Sequence, residues 1–364
     1  MAPLAPTPFL NEKNDKKIDL DTALRLARYD RYTLQSLSRK VLPTERVSKC
    51  LRYVNNRSHV EVWKHLKTEK AFYNGLLVCG SVWHCPICAA KISERRKLEL
   101  NQAFDTHKNN GGKIAHLVLT FSHSRDDSLS LILDKFLKAI TKFRSGKRYD
   151  SLSKKLGMIG SIRVFEVTYS DSNGFHPHVH IAILYNKKCS LKRVEAEMTE
   201  LWLNACNKFG LTGKEGIALR LQNGDNADDY LSKWSLESEL SKSHIKKGKD
   251  NSLTPFDFLR KYRETEDKRY LALFKEYADT FKGKRQIFWS PGLKKQFLIE
   301  DKKDEEIAKE KTELADLLGL ITYDEWKVIR KNDDRADLLD LTEKVGFEEA
   351  KRRILNKKNS NQID

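Results

Sequence analysis

Apolar positions recur with a helical period through DLDTALRLARYDRYTLQSLSRKVL, predicting a helix over residues 19–42. AAKISERRKLELNQAFDTHKNN repeats the pattern over 89–110 and runs into Gly111-Gly112, a stop signal for a helix. KIAHLVLTFSHS is rich in branched residues and predicts a buried strand, and SLSLILDKFLKAITKFRS returns to the helical period. MIGSIRVFEVTYSDSNGFHPHVHIAILY predicts two strands around a turn. After it come a helix in SLKRVEAEMTELWLNACNKFG, a short strand in EGIALRLQ and a further helix starting at NADDYLSKWSLESEL. The order strand–helix–hairpin–helix–strand–helix predicts an α+β fold, a central antiparallel sheet with helices on one side.

Five stretches follow from this pattern. Residues 1–44 form a disordered start and a first helix, and 45–112 a cysteine-bearing subdomain and a basic helix. Residues 113–240 hold the sheet, 241–300 form a basic irregular segment with SHIKKGKD as an exposed linker, and 301–364 form a charged helical region.

The formal net charge of +17 lies entirely within the first 300 residues, because 301–364 are slightly acidic. A lysine-rich globular protein is the bland explanation. A polyanion partner is the sharper one, since each neutralised phosphate releases a counterion. No apolar run is long enough to cross a membrane, and the first residues lack the apolar core of a secretory signal, so a cytoplasmic protein is expected.

In a reducing compartment clustered cysteines bind metal more often than they pair. Cys85-Pro-Ile-Cys88 is a knuckle suited to tetrahedral Zn²⁺, with Cys79 as third ligand and Cys50 as the best fourth, His84 being its rival for that place. Such a zinc would be structural, beside the candidate DNA-binding Arg95 and Arg96. Cys189 and Cys206 lie in other elements and read as buried thiols.

His178 and His180 alternate with apolar residues and therefore share one face of their strand. Glu166 is the carboxylate amid the neutral residues of the preceding strand. A three-residue Ser172-Asn173-Gly174 loop would set Asp171 against Phe175, Thr168 against His178 and Glu166 against His180. A two-residue Asn-Gly turn would send Glu166 to the other face. A His₂Glu set leaves coordination positions open, as a catalytic Mg²⁺, Mn²⁺ or Zn²⁺ needs. A metal-free polar strand face is the competing reading, and His176, next to Pro177, shares the face only if the chain is extended there. On the last helix Tyr230, Lys233 and Trp234 fall on one side, with Trp234 in the core. A cation beside a phenol suits phosphoryl transfer, though surface Tyr-Lys pairs are common.

Taken in order, HLVLTFS, HPHVHIAIL and YLSKW resemble the three motifs of replication initiators from small rolling-circle plasmids, in the HUH endonuclease superfamily. The C…WHCPICAAKI…RR stretch is similar to the cysteine region of one bacterial branch, so the resemblance covers about residues 50–235. It implies that His178, His180 and Glu166 bind the catalytic ion and that Tyr230 is the nucleophile. Tyr230 would attack a phosphodiester of the plasmid origin, presented as a single strand or extruded hairpin. That leaves a 5′-phosphotyrosine and a free 3′-OH for a polymerase, with a host helicase as a further partner and Lys233 neutralising the phosphate. Some relatives carry tyrosine or glutamate four residues before the nucleophile, where this chain has Asn226. A transposase or relaxase is the rival within the superfamily, and a non-catalytic zinc-containing regulator the rival outside it. Relaxases place their tyrosine before the histidines, unlike this chain.

Overall fold

The computed structural model describes residues 19–55, 59–224, 252–310 and 315–357. Strands β1 (His59–His65), β2 (Ala71–Asn74), β3 (Lys113–Leu119), β4 (Met158–Ser170), β5 (Gly174–Tyr185), β6 (Leu219–Asn223), β7 (Ile287–Trp289) and β8 (Ala315–Thr322) form two sheets. The larger has the order β6-β3-β5-β4-β7, and every pairing in it is antiparallel. The protein is thus α+β with a central antiparallel sheet and flanking helices.

Helices α1 (Leu20–Val41), α2 (Pro86–Asn109), α3 (Leu129–Phe143), α4 (Lys147–Leu156) and α5 (Leu191–Lys208) precede β6. Of these, α4 was not predicted, because only Tyr149, Leu152 and Leu156 of its polar sequence are buried. One face of the large sheet carries Leu117, Phe165, Val179 and Ile181, which pack on α3 and α5 through Phe136, Phe143 and Trp202. Trp202 lies fully buried and donates its indole N–H to Thr120 O at 2.8 Å. The opposite face was expected to lack helices. Half of it is covered by Leu100, Ala103 and Phe104 of α2 together with Leu293, Phe297 and Ile299. The other half carries the histidines.

The 241–300 segment is not irregular throughout. Its described part contains helices Pro255–Thr265 and Arg269–Phe281 and the edge strand β7. Pro255 at the first turn and a Thr254–Asp257 capping box start the first of these helices. The region after 300 holds a strand as well as helices. Its β8 pairs with β1, so the cysteine-bearing region and the chain's last third share the sheet β2-β1-β8. Trp326, Ile329, Leu338 and Phe347 close a second core over that sheet.

Helix α1 ties these parts together. Asp30 accepts from Arg260 at 2.7 Å and Arg263 at 3.0 Å, Arg28 pairs with Glu343 at 2.5 Å, and Arg25 binds Asp340. Arg335 is wholly buried, donating to Gln35 Oε1 at 2.7 Å, Leu51 O at 3.1 Å and Asp333 Oδ1 at 2.9 Å. Its guanidinium also sits 5.0 Å from the Tyr32 ring centroid. Removing one partner of such a set strands the others in a dry interior. Arg335→Ala is therefore expected to cost about 3–5 kcal/mol, read as a fall in the urea midpoint. An unchanged midpoint would refute that account of the junction.

Candidate functional site

The β4–β5 hairpin builds the site. Gly174 takes φ +75°, a left-handed conformation open to glycine, and Asn173 N–H donates to Ser170 O at 3.3 Å to close the turn. A side chain at 174 would also meet the backbone of Arg125 at 2.9 Å. The loop consists of Asp171-Ser172-Asn173, and Ser170 pairs with Gly174. Glu166 consequently stands opposite His178, Thr168 opposite His176, and Val164 opposite His180. This corrects the expected register by two residues: Glu166 does not face His180 directly, nor Thr168 His178. A shift of two preserves side-chain parity, so Glu166 stays on the histidine face.

Glu166 Oε2 lies 3.2 Å from His178 Nε2 and 3.3 Å from His180 Nε2, and the three residues are grouped as one cluster of potential metal ligands. Their side chains retain 22%, 14% and 18% exposure, enough for a ligand to enter. Burial opposes ionisation of Glu166, but the His180 and His178 rings more than offset it and hold the carboxyl well below the usual carboxylate range. Burial likewise disfavours a charged His178, and the Glu166 carboxylate reverses that, raising its pKa.

The outer nitrogens decide what the inner ones offer. His178 Nδ1 is 3.2 Å from His176 O, a carbonyl that can only accept, so the proton sits on Nδ1. In the neutral ring Nε2 is then a bare lone pair aimed at a carboxylate. His180 Nδ1 lies 3.0 Å from His116 Nε2, with the two rings nearly parallel at 5.1 Å. Donation from His180 leaves its Nε2 bare as well. Three acceptors facing one another call for a proton or a cation between them, and this donor set fits a divalent metal.

His116 was missed in the sequence. It belongs to β3, which pairs with β5 so that Val118 meets His180, and strand alternation puts His116 on the same face. His176 also shares the face, but its ring turns to other partners. Its Nδ1 is 2.6 Å from His123 Nε2, its Nε2 is 3.1 Å from Thr120 Oγ1, and it stands outside the Glu166 cluster. Burial, with the neighbouring His178 and His123 rings, lowers the His176 pKa to about 3, so it stays neutral.

The second cluster is Cys50, Cys79, Cys85 and Cys88, all buried. Sulfur–sulfur distances are 3.5 Å for Cys79–Cys88, 3.6 Å for Cys50–Cys88 and 3.8 Å for Cys50–Cys85. A tetrahedron with Zn–S bonds of about 2.3 Å has edges of about 3.8 Å, so the cluster is consistent with a structural zinc. His84 does not join it, since its Nε2 is 3.0 Å from Ala278 O. Cys85 and Cys88 sit on the first turn of α2, whose positive end favours thiolates. Gln35 donates to Cys85 Sγ at 3.4 Å.

Arg96, read from the sequence as a candidate DNA contact, is engaged within the protein. Its guanidinium is spent on Glu99 at 2.9 Å, Lys302 O at 2.7 Å and Asp304 at 2.8 Å, fastening α2 to the chain after β7. Arg95 is half-buried beside it. Tyr230, Lys233 and Asn226 lie outside the described residues.

A family model described as a replication protein matches residues 77–333. A protein named "Protein rep" from Streptomyces lividans is 24% identical over 289 residues, which cover 60% of this chain and 63% of that protein. A "Neomycin resistance protein" from Streptomyces cyanogenus is 27% identical over 149 residues, 34% of each chain. The chain thus spans less than two thirds of the length of these relatives. No solved structure matches it.

If the four thiols hold zinc, Cys85→Ser will reduce bound zinc from stoichiometric to a small fraction, measured with a chromogenic chelator after thiol displacement. Cys206→Ser, at a buried thiol in α5 apart from the cluster, will leave the zinc in place.

Proposed function

The chain belongs to a family of replication proteins, and on that premise we propose that it initiates rolling-circle replication of a plasmid by nicking and rejoining one DNA strand. The reading is carried by the convergence of His178 and His180 on one carboxylate oxygen of Glu166, in a replication protein. Those three residues would hold Mg²⁺ or Mn²⁺. Such a cation draws charge from the scissile phosphate.

The Tyr230 hydroxyl attacks the phosphorus, and the bond from phosphorus to the 3′ oxygen breaks. The phenol's proton is lost, the departing oxygen gains one, and the 5′ phosphate stays on tyrosine as a phosphodiester. The free 3′-OH primes a polymerase, with a host helicase opening the duplex ahead. Attack by a 3′-OH on the phosphotyrosine reverses the step and rejoins the strand. Lys233, three residues further on, neutralises phosphate charge. Tyr230 lies six positions beyond Gly224, whose N–H is held by Ile114 O at 2.9 Å. Six extended residues reach about 20 Å, and Gln222, just before that anchor, is paired with His116. Residues 113–240 are the catalytic unit in this reading. Asn226 supplies no second nucleophile, so the nearby Asp225, Asp228 and Asp229 carry the carboxylates available for closing the cycle.

His116 acts as a positioning residue that accepts from His180 Nδ1–H and keeps His180 Nε2 bare. His116→Ala should weaken Mn²⁺ binding, followed by electron paramagnetic resonance, about 10–100-fold, and His116→Gln, which keeps an acceptor, should recover most of it. Equal loss in both variants would remove His116 from this role. Tyr230→Phe should abolish cleavage of labelled single-stranded origin DNA with Mn²⁺, and with it the covalent adduct on a denaturing gel. DNA binding should persist. A Tyr230→Phe protein that still cuts would end the nicking proposal.

A further inference from the structure

A cavity of about 920 Å³ lies between residues 80–83, which precede the cysteine knuckle, and the 290–305 segment, with Ile287 and Trp289 of β7 on its wall. Both signs of charge line it, but they are not equally available. Each acid is engaged: Glu305 with Arg46 at 2.8 Å, Asp304 with Arg96 at 2.8 Å, Asp301 with Lys294 at 3.0 Å and Glu300 with Lys302 at 2.8 Å. Lys284, Arg285 and Lys295 are exposed and make no side-chain hydrogen bond or ion pair of 4 Å or less among the described residues, although, after Lys294, the charge of Arg285 also helps to hold the Asp301 carboxyl low. The groove therefore presents uncompensated positive charge. It also presents apolar surface: Leu298, held in a left-handed conformation with 89% of its surface exposed, and the half-buried Trp289 ring, which packs on the neighbouring core and has Lys294 Nζ 5.6 Å from its centroid.

The groove adjoins the histidine face. Ile287 pairs with Val164, which pairs with His180, so two strand spacings, about 10 Å, separate their backbones. The ladder continues from Phe165 N–H to Gln286 O at 3.0 Å, which brings Arg285 level with Glu166 on the neighbouring strand.

We propose that this groove binds the single-stranded DNA flanking the scissile phosphate, with Lys284, Arg285 and Lys295 on successive phosphates and Trp289 and Leu298 against unstacked bases. Cationic grooves interleaved with aromatic faces suit single strands, whose bases expose the faces that a duplex hides. The proposal rests on the nicking reading and extends it to the path of the substrate.

The test measures binding of a fluorescein-labelled oligodeoxythymidylate by anisotropy across a salt series, without chelator and without added Mg²⁺ or Mn²⁺, so that nothing is cut and the thiol cluster keeps its metal. With Lys284, Arg285 and Lys295 all changed to Ala, the slope of log affinity against log salt should fall by about 2, and affinity should drop about a hundredfold at about 0.1 M salt. A control with Lys187, Lys192 and Lys214 changed to Ala should keep the full slope. Lys295→Glu alone, on an exposed turn, serves the same test should the triple variant lose its thermal transition. An unchanged slope in the groove variant, an equal loss in the control, or competition by duplex as strong as by single strand would overturn the proposal. A wild type that cuts origin DNA while the groove variant keeps its slope overturns the groove alone. A wild type that shows the slope change but never cuts overturns the nicking reading and leaves the groove standing.

Discussion

Antiparallel pairing between β4 and β5 decides which side chains share a face, and the candidate metal-binding cluster depends on that one parity. Because faces alternate every residue, an even change of register moves Glu166 along the histidine row without removing it from the row. An odd change would bury the carboxylate among Phe136, Phe165 and Trp202, where an ionised group costs several kcal/mol. The core on the opposite face thus enforces the parity. Gly174 and the close approach of Arg125 then select the loop that satisfies it.

The same sheet orients the rings it brings together. A backbone carbonyl, His176 O, sets the tautomer of His178, and β3 brings His116 Nε2 to 3.0 Å from His180 Nδ1, which couples the tautomers of those two rings. The row is graded in charge. Glu166 is held ionised and His178 is favoured as a cation, while His176, one pleat away and facing Thr120 and His123, remains neutral. The charged part of the row is thus the Glu166–His178 pair, beside the candidate metal ligand His180.

Around this sheet the chain is fastened by polar links that span long sequence separations. Arg335 grips Gln35, and Gln35 in turn donates to Cys85 of the thiol cluster. The cluster, α1 and the C-terminal helices are thereby placed in mutual register by groups that are costly to leave unpaired. Arg96 and Lys294 share the buried Glu99, which sets the wall of the groove beside β7. Lysines and arginines left over from such links, rather than the net charge as a whole, are the ones open to an external anion.

Periodicity over α1, α2, α3 and α5, the strand pair and the knuckle were legible because they are local: apolar spacing, a C-x-x-C turn and a glycine-bearing hairpin are properties of neighbouring residues. The shared face of His178 and His180 was equally local, since alternation along one strand needs no partner. Much of what joined separate segments waited for the tertiary structure. His116 was invisible because the partner and register of β3 are set by long-range pairing. The same holds for Arg96 being engaged by Asp304 and for β8 crossing to β1, whereas Cys50 was the expected fourth thiol and does complete the cluster. A single residue's neighbours along the chain limit which face it takes, but only burial of the whole core decides what that face meets.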